Sequence, residues 1–266
     1  GLRTTNVRGP AGDASRSTST NSGRPVIAQA SSRGFRIVAE QATIVGRDPW
    51  MVPTRTMNPR WSPDSKYIAY AAHLNSMYKA IFVADVETGK NTQLTDGLSD
   101  AAWPTWDASG KYLWFFASTD FGLRSQWLDM SAYPYEPTYS LYLAILSKSE
   151  PTPFPPQTDE EGAPTTPATP PGGGGRAAAA AAPVTVTIDF DNIQNRILAV
   201  PGVPARAYSR LKAGVAGSVF YTDPGAGAGG GGGSIARYQL STRSSAPFVQ
   251  GGDFVLSADG RKMLYR

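Results

Sequence analysis

A turn motif that returns along the chain leaves few folds open to this sequence. Residues 61–70, WSPDSKYIAY, join an aromatic anchor, a tight turn and a strand whose side chains alternate between two faces. Pro63 presets the φ of a turn and Asp64 and Ser65 are suited to bond back to nearby backbone. Tyr67, Ile68, Ala69 and Tyr70 then read as a half-buried strand. A second copy, WDASGKYLWF, begins at Trp106, 45 positions after Trp61, and a third, LSADGRKMLY, begins at Leu256. A repeat of about 45 residues is the length of a four-stranded propeller blade. The expected fold is therefore all-β, a partial β-propeller of four-stranded antiparallel blades interrupted by long low-complexity insertions.

The rest of the chain divides around these copies. Residues 1–24, rich in Ser, Thr, Gly and Arg and without a hydrophobic period, are expected to be disordered or misassigned. Blades are expected over residues 25–150, beginning with short strands at 26–28, 35–38 and 42–45. In the first complete repeat, strands over 66–72 and 80–86 are joined by a turn at 73–76. A hairpin at 87–90 then leads to a short, polar outer strand over 92–95. In the second repeat a strand over 111–117 is followed by an aromatic loop, 118–137, before a strand resumes over 139–146. The loop carries Phe121, Trp127, Leu128, Met130, Tyr133 and Tyr135, so it is expected to pack over a propeller face or a neighbouring domain.

Residues 151–183 form a Pro, Gly and Ala-rich insertion that cannot build a packed core. Blades resume over 184–266, with an edge strand expected at 184–189 and an inner strand of a degenerate blade at 217–221. Placing Leu211 where Trp61 stands, and Phe220 where Tyr70 stands, puts Leu256 45 positions further on. The last blade is expected to be truncated, and the chain to be a piece of a larger protein.

Composition removes several classes of function. The chain of 266 residues has no cysteine, which excludes disulfides and thiolate metal sites, and with one histidine a transition-metal site is not expected. No cofactor is expected either. The formal charge of +4 comes partly from arginines in the weakly patterned beginning, so nucleic acid is not an expected partner. No apolar run reaches the length of a membrane span.

Motif-like letters elsewhere carry little chemistry. His73, the only histidine, falls in an expected hairpin without a catalytic signature and reads as a solvated loop residue. Asp120-Phe121-Gly122 matches three kinase letters with none of the other kinase elements. The glycine runs at 172–175 and 229–233 lack the strand-loop-helix setting of a phosphate cradle. The acidic cluster Asp159-Glu160-Glu161 reads as a solvated face. Trp61, Trp103, Trp106, Trp114 and Tyr70 recur with the repeat and are expected to pack between blades. No catalytic residue is assigned.

Several longer blocks resemble one family. WSPDSKYIAY, WDASGKYLWFFASTDFG, QWLDMS, SLYLAILSKSEPTPFPPQTDEE and VTIDFDNIQNRILAVPGVPARAYSRLKAG together resemble the C-terminal part of the second propeller of tricorn-type serine peptidases. The resemblance spans roughly 45–266. It implies a non-catalytic propeller segment that gates or guides oligopeptides to a catalytic core outside this chain. It also implies further blades and PDZ-like and catalytic domains as partners, a homo-oligomeric parent and a cytoplasmic location. The alternative is a stand-alone, TolB-like propeller that binds a protein or a ligand. Within the resembling region, Arg196, Arg206, Arg210 and Lys212 could form a basic rim for the carboxylate end of a peptide, or be ordinary surface charge.

Overall fold

The computed structural model describes residues 16–21, 24–31, 34–38, 42–48, 57–121, 136–155, 184–225 and 233–266. The first sheet holds β1 (Arg16–Asn21), β2 (Arg24–Ser31), β3 (Gly34–Val38) and β4 (Ala42–Gly46). The second holds β5 (Arg60–Trp61), β6 (Tyr67–His73), β7 (Lys79–Asp85) and β8 (Asn91–Gln93). The third holds β9 (Asp100–Trp106), β10 (Tyr112–Ser118), β11 (Ser140–Ile145) and β12 (Ile197–Ala199). The fourth holds β13 (Ser209–Ala213), β14 (Ser218–Asp223), β15 (Ser234–Gln239) and β16 (Ser244–Gln250), and β17 (Phe254–Leu256) pairs with β18 (Met263–Tyr265). Within every sheet, sequence neighbours are antiparallel neighbours, as in a meander of propeller blades. The chain is a partial β-propeller.

Alternation along the middle strands explains why the sheets stack. On β10, Leu113 and Phe115 join Ala69, Ala71, Ile81 and Val83 in a core between the second and third sheets. Trp114 and Phe116 turn the other way and meet Leu211, Val219, Tyr221 and Tyr238 of the fourth. Every residue of β10 is buried, which is why its sequence, YLWFFAS, is apolar at both parities. The same rule operates on β14, where Val219 and Tyr221 face the third sheet while Phe220 packs with Ile235 and Phe254 towards β17.

One atom in the seam between the third and fourth sheets lacks a partner. Tyr238 is fully buried against Trp114, with ring centroids 5.9 Å apart, and its hydroxyl makes no hydrogen bond. An orphaned buried hydroxyl costs about 1–3 kcal/mol. Tyr238→Phe is therefore expected to stabilise the protein by about 1 kcal/mol, read as a rise in the urea midpoint; a fall would show that the hydroxyl has a partner in solution.

The repeated motif builds the same turn each time. The amide of Ser62 donates to the Tyr67 carbonyl at 2.9 Å, and Asp107 and Ser257 make the matching bonds to Tyr112 and Lys262 at the same distance. A side chain fastens each loop from inside: Ser62 Oγ donates to Asp64 at 2.6 Å, Ser109 Oγ to Asp107 at 2.6 Å, and Ser257 Oγ to Asp259. In the fourth sheet Gly214 donates to Ser218 at 3.0 Å, so the turn is one residue shorter and Gly214 takes the place of Ser62.

That alignment corrects the expected correspondence. Ala213, not Leu211, matches Trp61, and Tyr221, not Phe220, matches Tyr70. The backbone agrees, because Asn58, Trp103 and Arg210, each three residues before the turn-entering residue, all have positive φ, at 46°, 58° and 59°. Non-glycine residues reach this region at a cost, and near two of them the strand register shifts by a bulge.

Other expectations also need correction. Residues 16–21, inside the stretch expected to be disordered or misassigned, are not disordered but form β1 and pair with β2 from Arg16 opposite Gln29 to Asn21 opposite Arg24. Residues 1–15 lie outside the described residues. Residues 184–189 are extended but join no ladder: the Val186 amide donates to Asp64 Oδ2 at 2.9 Å and the Asp189 amide to the Leu146 carbonyl at 2.9 Å. Buried Val186 thereby wedges the segment between the second and third sheets, and Gly110, at φ +74°, leaves the space it needs, since a Cβ there would lie 2.8 Å from Val184 Cγ1.

Candidate ligand-binding face of the innermost strands

The first strands of the second, third and fourth sheets lie side by side, with β9 touching both β5 and β13, as the innermost strands of adjacent blades do. Small polar links tie these strands together. Trp106 Nε1 donates to the Arg60 carbonyl at 2.9 Å, and Thr105 Oγ1 donates to the Leu211 carbonyl at 3.0 Å. Lys212 Nζ donates to the Phe254 carbonyl at 2.6 Å and sits 5.3 Å from the Phe254 ring centre.

Counting from the turns, Arg60, Thr105 and Lys212 occupy one position in three successive sheets, immediately before the turn-entering residue. Thr105 and Lys212 both donate to the carbonyl two residues before the turn-entering residue of the next sheet. Arg60 does not follow them. Its Nη1 donates at 3.3 Å to the carbonyl of its own neighbour, Pro59, and among the described residues no acid pairs with it. Burial lowers the Arg60 pKa, and burial together with the Arg60 charge lowers that of Lys212.

The expected basic rim is only partly assembled. Arg210 and Lys212 share β13, where Arg210 pairs with Asp253, whose carboxyl is held below its ordinary pKa first by that hydrogen bond. Arg206 lies beyond the far end of β14. Its Nη1 meets the two Asp223 oxygens at 3.2 and 2.9 Å, and its backbone bridges to Tyr139. Arg196 sits on the outer flank of the third sheet and spends its guanidinium on the carbonyls of Ile145, Asp189 and Asp191. Arg60 was missed because its equivalence to Lys212 appears only when the fourth turn is aligned on Gly214.

A second polar centre lies where β9 begins. The fully buried Asp100 carboxylate accepts from the Lys79 amide at 2.9 Å and from Tyr139 Oη at 3.1 Å, and lies 3.3 Å from Lys79 Nζ. Burial, then the Asp100 charge, raises the Tyr139 pKa, so the phenol stays protonated and donates. Asp120 fastens the base of the aromatic loop, accepting from Ser118 Oγ at 2.8 Å and from the Thr138 amide and Oγ1 at 2.9 and 2.8 Å. Phe121 packs edge-on against Tyr78 of the second sheet, while Trp127, Leu128, Met130, Tyr133 and Tyr135 lie outside the described residues. The 159–161 cluster, the 172–175 glycines and most of the 229–233 run lie outside them too.

His73 is not a solvated loop residue. It ends β6, and its Nδ1 donates to Asp48 Oδ2 at 2.9 Å, with the side chains 10% and 2% exposed. The pair ties the segment after β4 to the second sheet. Among the described residues no helix is long and apolar enough to cross a membrane.

No protein-family model matches the chain, and no curated protein matches it significantly. Solved structures do. The tricorn protease is similar over 91% of this chain and 23% of its own, with a TM-score of 0.63 and 17% identity. TolB from Acinetobacter baumannii aligns over 95% of this chain and 45% of its own, at a TM-score of 0.49 and 12% identity. The β-propeller domain of the Trilobed protease from Pyrococcus furiosus aligns over 96% and 60%, at 0.37 and 12%. The chain thus spans less than half the length of the tricorn protease and of that TolB, and the likeness to the tricorn protease, at 17% identity, shows the fold alone: the chain is a β-propeller module.

Proposed function

We propose that this propeller segment guides extended oligopeptides along its innermost strands, within a tricorn-like serine peptidase whose catalytic core lies outside these residues. The observation that carries the reading is the pair of cations Arg60 on β5 and Lys212 on β13, of which Arg60 has no acidic partner among the described residues, while Arg210 beside them is paired with Asp253. A pair of this sign attracts the carboxylates that every free peptide carries at its C-terminus. The chain itself contributes positioning and no bond cleavage.

The test is equilibrium binding of an N-terminally fluorescein-labelled neutral decapeptide to this 266-residue chain, followed by fluorescence anisotropy, with mass spectrometry of the peptide afterwards. Saturable binding with an intact peptide is the expected result. No binding up to about 1 mM, where the binding free energy has fallen to about −4 kcal/mol, would overturn the reading, and so would cleavage that copurifies with the chain.

A further inference from the structure

Arg60 stands apart within its own repeat. At the same position Thr105 and Lys212 spend their side chains on tying neighbouring innermost strands together, through the carbonyls of Leu211 and Phe254. The seam between the second and third sheets is tied instead by Trp106 Nε1 on the Arg60 carbonyl, 2.9 Å away. Arg60's backbone is therefore fixed while its guanidinium is released from structural duty.

The guanidinium is also placed where it needs an anion. Its one bond, from Nη1 to the Pro59 carbonyl, leaves the Nε and Nη2 edge without a protein partner among the described residues. Neither atom is sealed from solvent, since among the described residues the only buried side-chain polar atom lacking a partner is the Tyr238 hydroxyl. The acid beside Lys212, Asp253, is already claimed by Arg210, with Arg266 Nη2 3.9 Å away. Lys212 lies close enough for its charge and that of Arg60 to disfavour one another. A carboxylate bound between them would relieve that repulsion, and the planar guanidinium edge offers it two parallel N–H donors.

We propose that Arg60, backed by Lys212, is a carboxylate-binding point on the innermost strands that anchors the peptide by its C-terminal carboxylate or by an acidic side chain. The proposal rests on the peptide-guiding reading and adds to it the group that is recognised. A half-buried charge-assisted pair of this kind is worth about tenfold or more in affinity.

Three N-terminally fluorescein-labelled neutral decapeptides separate the sources: one with a free C-terminus, one amidated, and one amidated with a single internal Glu. The free acid is expected to bind about tenfold more tightly than the amide. If the Glu peptide binds like the free acid, side-chain carboxylates also dock; if it binds like the amide, only the terminus does, and either result supports the site. Arg60→Gln should bring the free acid down to the level of the amide, Arg60→Lys should restore part of the difference, and Lys90→Gln, an equal loss of charge on an exposed hairpin, should leave it intact.

Intrinsic tryptophan fluorescence confirms that each variant is folded. Equal affinity for all three peptides would overturn the carboxylate site while leaving peptide binding in place. A preference for the free acid that survives Arg60→Gln would overturn the assignment to Arg60. Failure of every peptide to bind would overturn both readings.

Discussion

Replacing Asp107 by alanine is expected to lower the stability of the protein by about 3–4 kcal/mol. The carboxylate is fully buried in the seam between the third and fourth sheets. Oδ1 accepts from the Ser109 amide at 2.9 Å and from Ser109 Oγ at 2.6 Å, holding the turn. Oδ2 accepts from Trp114 Nε1 at 3.1 Å and from the Gly217 amide at 2.9 Å, the latter in the next sheet. Alanine leaves the buried indole N–H of Trp114 and the part-buried Gly217 amide without their acceptor, and an orphaned buried donor costs about 1–3 kcal/mol. Asparagine should recover part of the loss, because one carbonyl oxygen remains while its amide group faces a donor. Urea unfolding followed by tryptophan fluorescence checks the ranking, and a loss under about 1 kcal/mol for the alanine variant would show that the network is dispensable.

Phe116→Ala is expected to cost about as much, by a different route. The ring is fully buried, stacks on Tyr208 at 5.5 Å and meets Tyr221 edge-on at 5.8 Å. Truncation removes the apolar surface and leaves a cavity lined by two tyrosines that cannot close over it. Large-to-small changes of this sort cost about 3–5 kcal/mol. Because Phe116 and Asp107 serve the same seam, the double variant should lose less than the sum, whereas Phe116→Ala with a change in the seam of Phe115 and Tyr142, on the opposite face of β10, should come closer to additivity. A loss for Phe116→Ala below about 1 kcal/mol would indicate that the seam repacks.

The architecture was legible where local chemistry and periodicity coincide. Trp61, Trp106 and Leu256 mark genuine turn entrances because the Ser and Asp side chains after them close the loop locally, and strand alternation after each turn follows from burial on both faces. The fourth turn was misaligned for a physical reason. The turn at Gly214 is shorter and is fastened by Ser218 Oγ on the Val215 carbonyl and not by a Ser–Asp pair, so the letters that identify the motif are missing, and a coincidental spacing from Leu211 to Leu256 took their place. The strand expected at 184–189 failed similarly. Its alternation, VTVTID, is what a ladder requires, yet Asp64 and Leu146 take the Val186 and Asp189 backbone bonds. β1 was overlooked because RSTSTN has no apolar side chain to report pairing.

The candidate site was half legible. Arg210 and Lys212 were visible as a basic pair on one strand, but charge alone does not distinguish a committed side chain from an uncommitted one. Arg196 and Arg206 looked alike in sequence, and in three dimensions one is spent on carbonyls and the other on Asp223. The value of Arg60 lies in a comparison between repeats, namely the bond that Thr105 and Lys212 make and it does not.

The turn carboxylates have one more consequence. Asp64 reaches out of the second sheet to the Val186 amide, and Asp107 reaches out of the third to the Gly217 amide, each at 2.9 Å. Each of these amide protons is held by a carboxylate of another element and not by a ladder partner, so its exchange with solvent deuterium reports the opening of that one contact, the parting of the third and fourth sheets for Gly217 and the release of the 184–189 segment from the second sheet for Val186. The protein thus carries two built-in clocks, one timing how often the third and fourth sheets part and the other how often the wedge between the second and third sheets lets go.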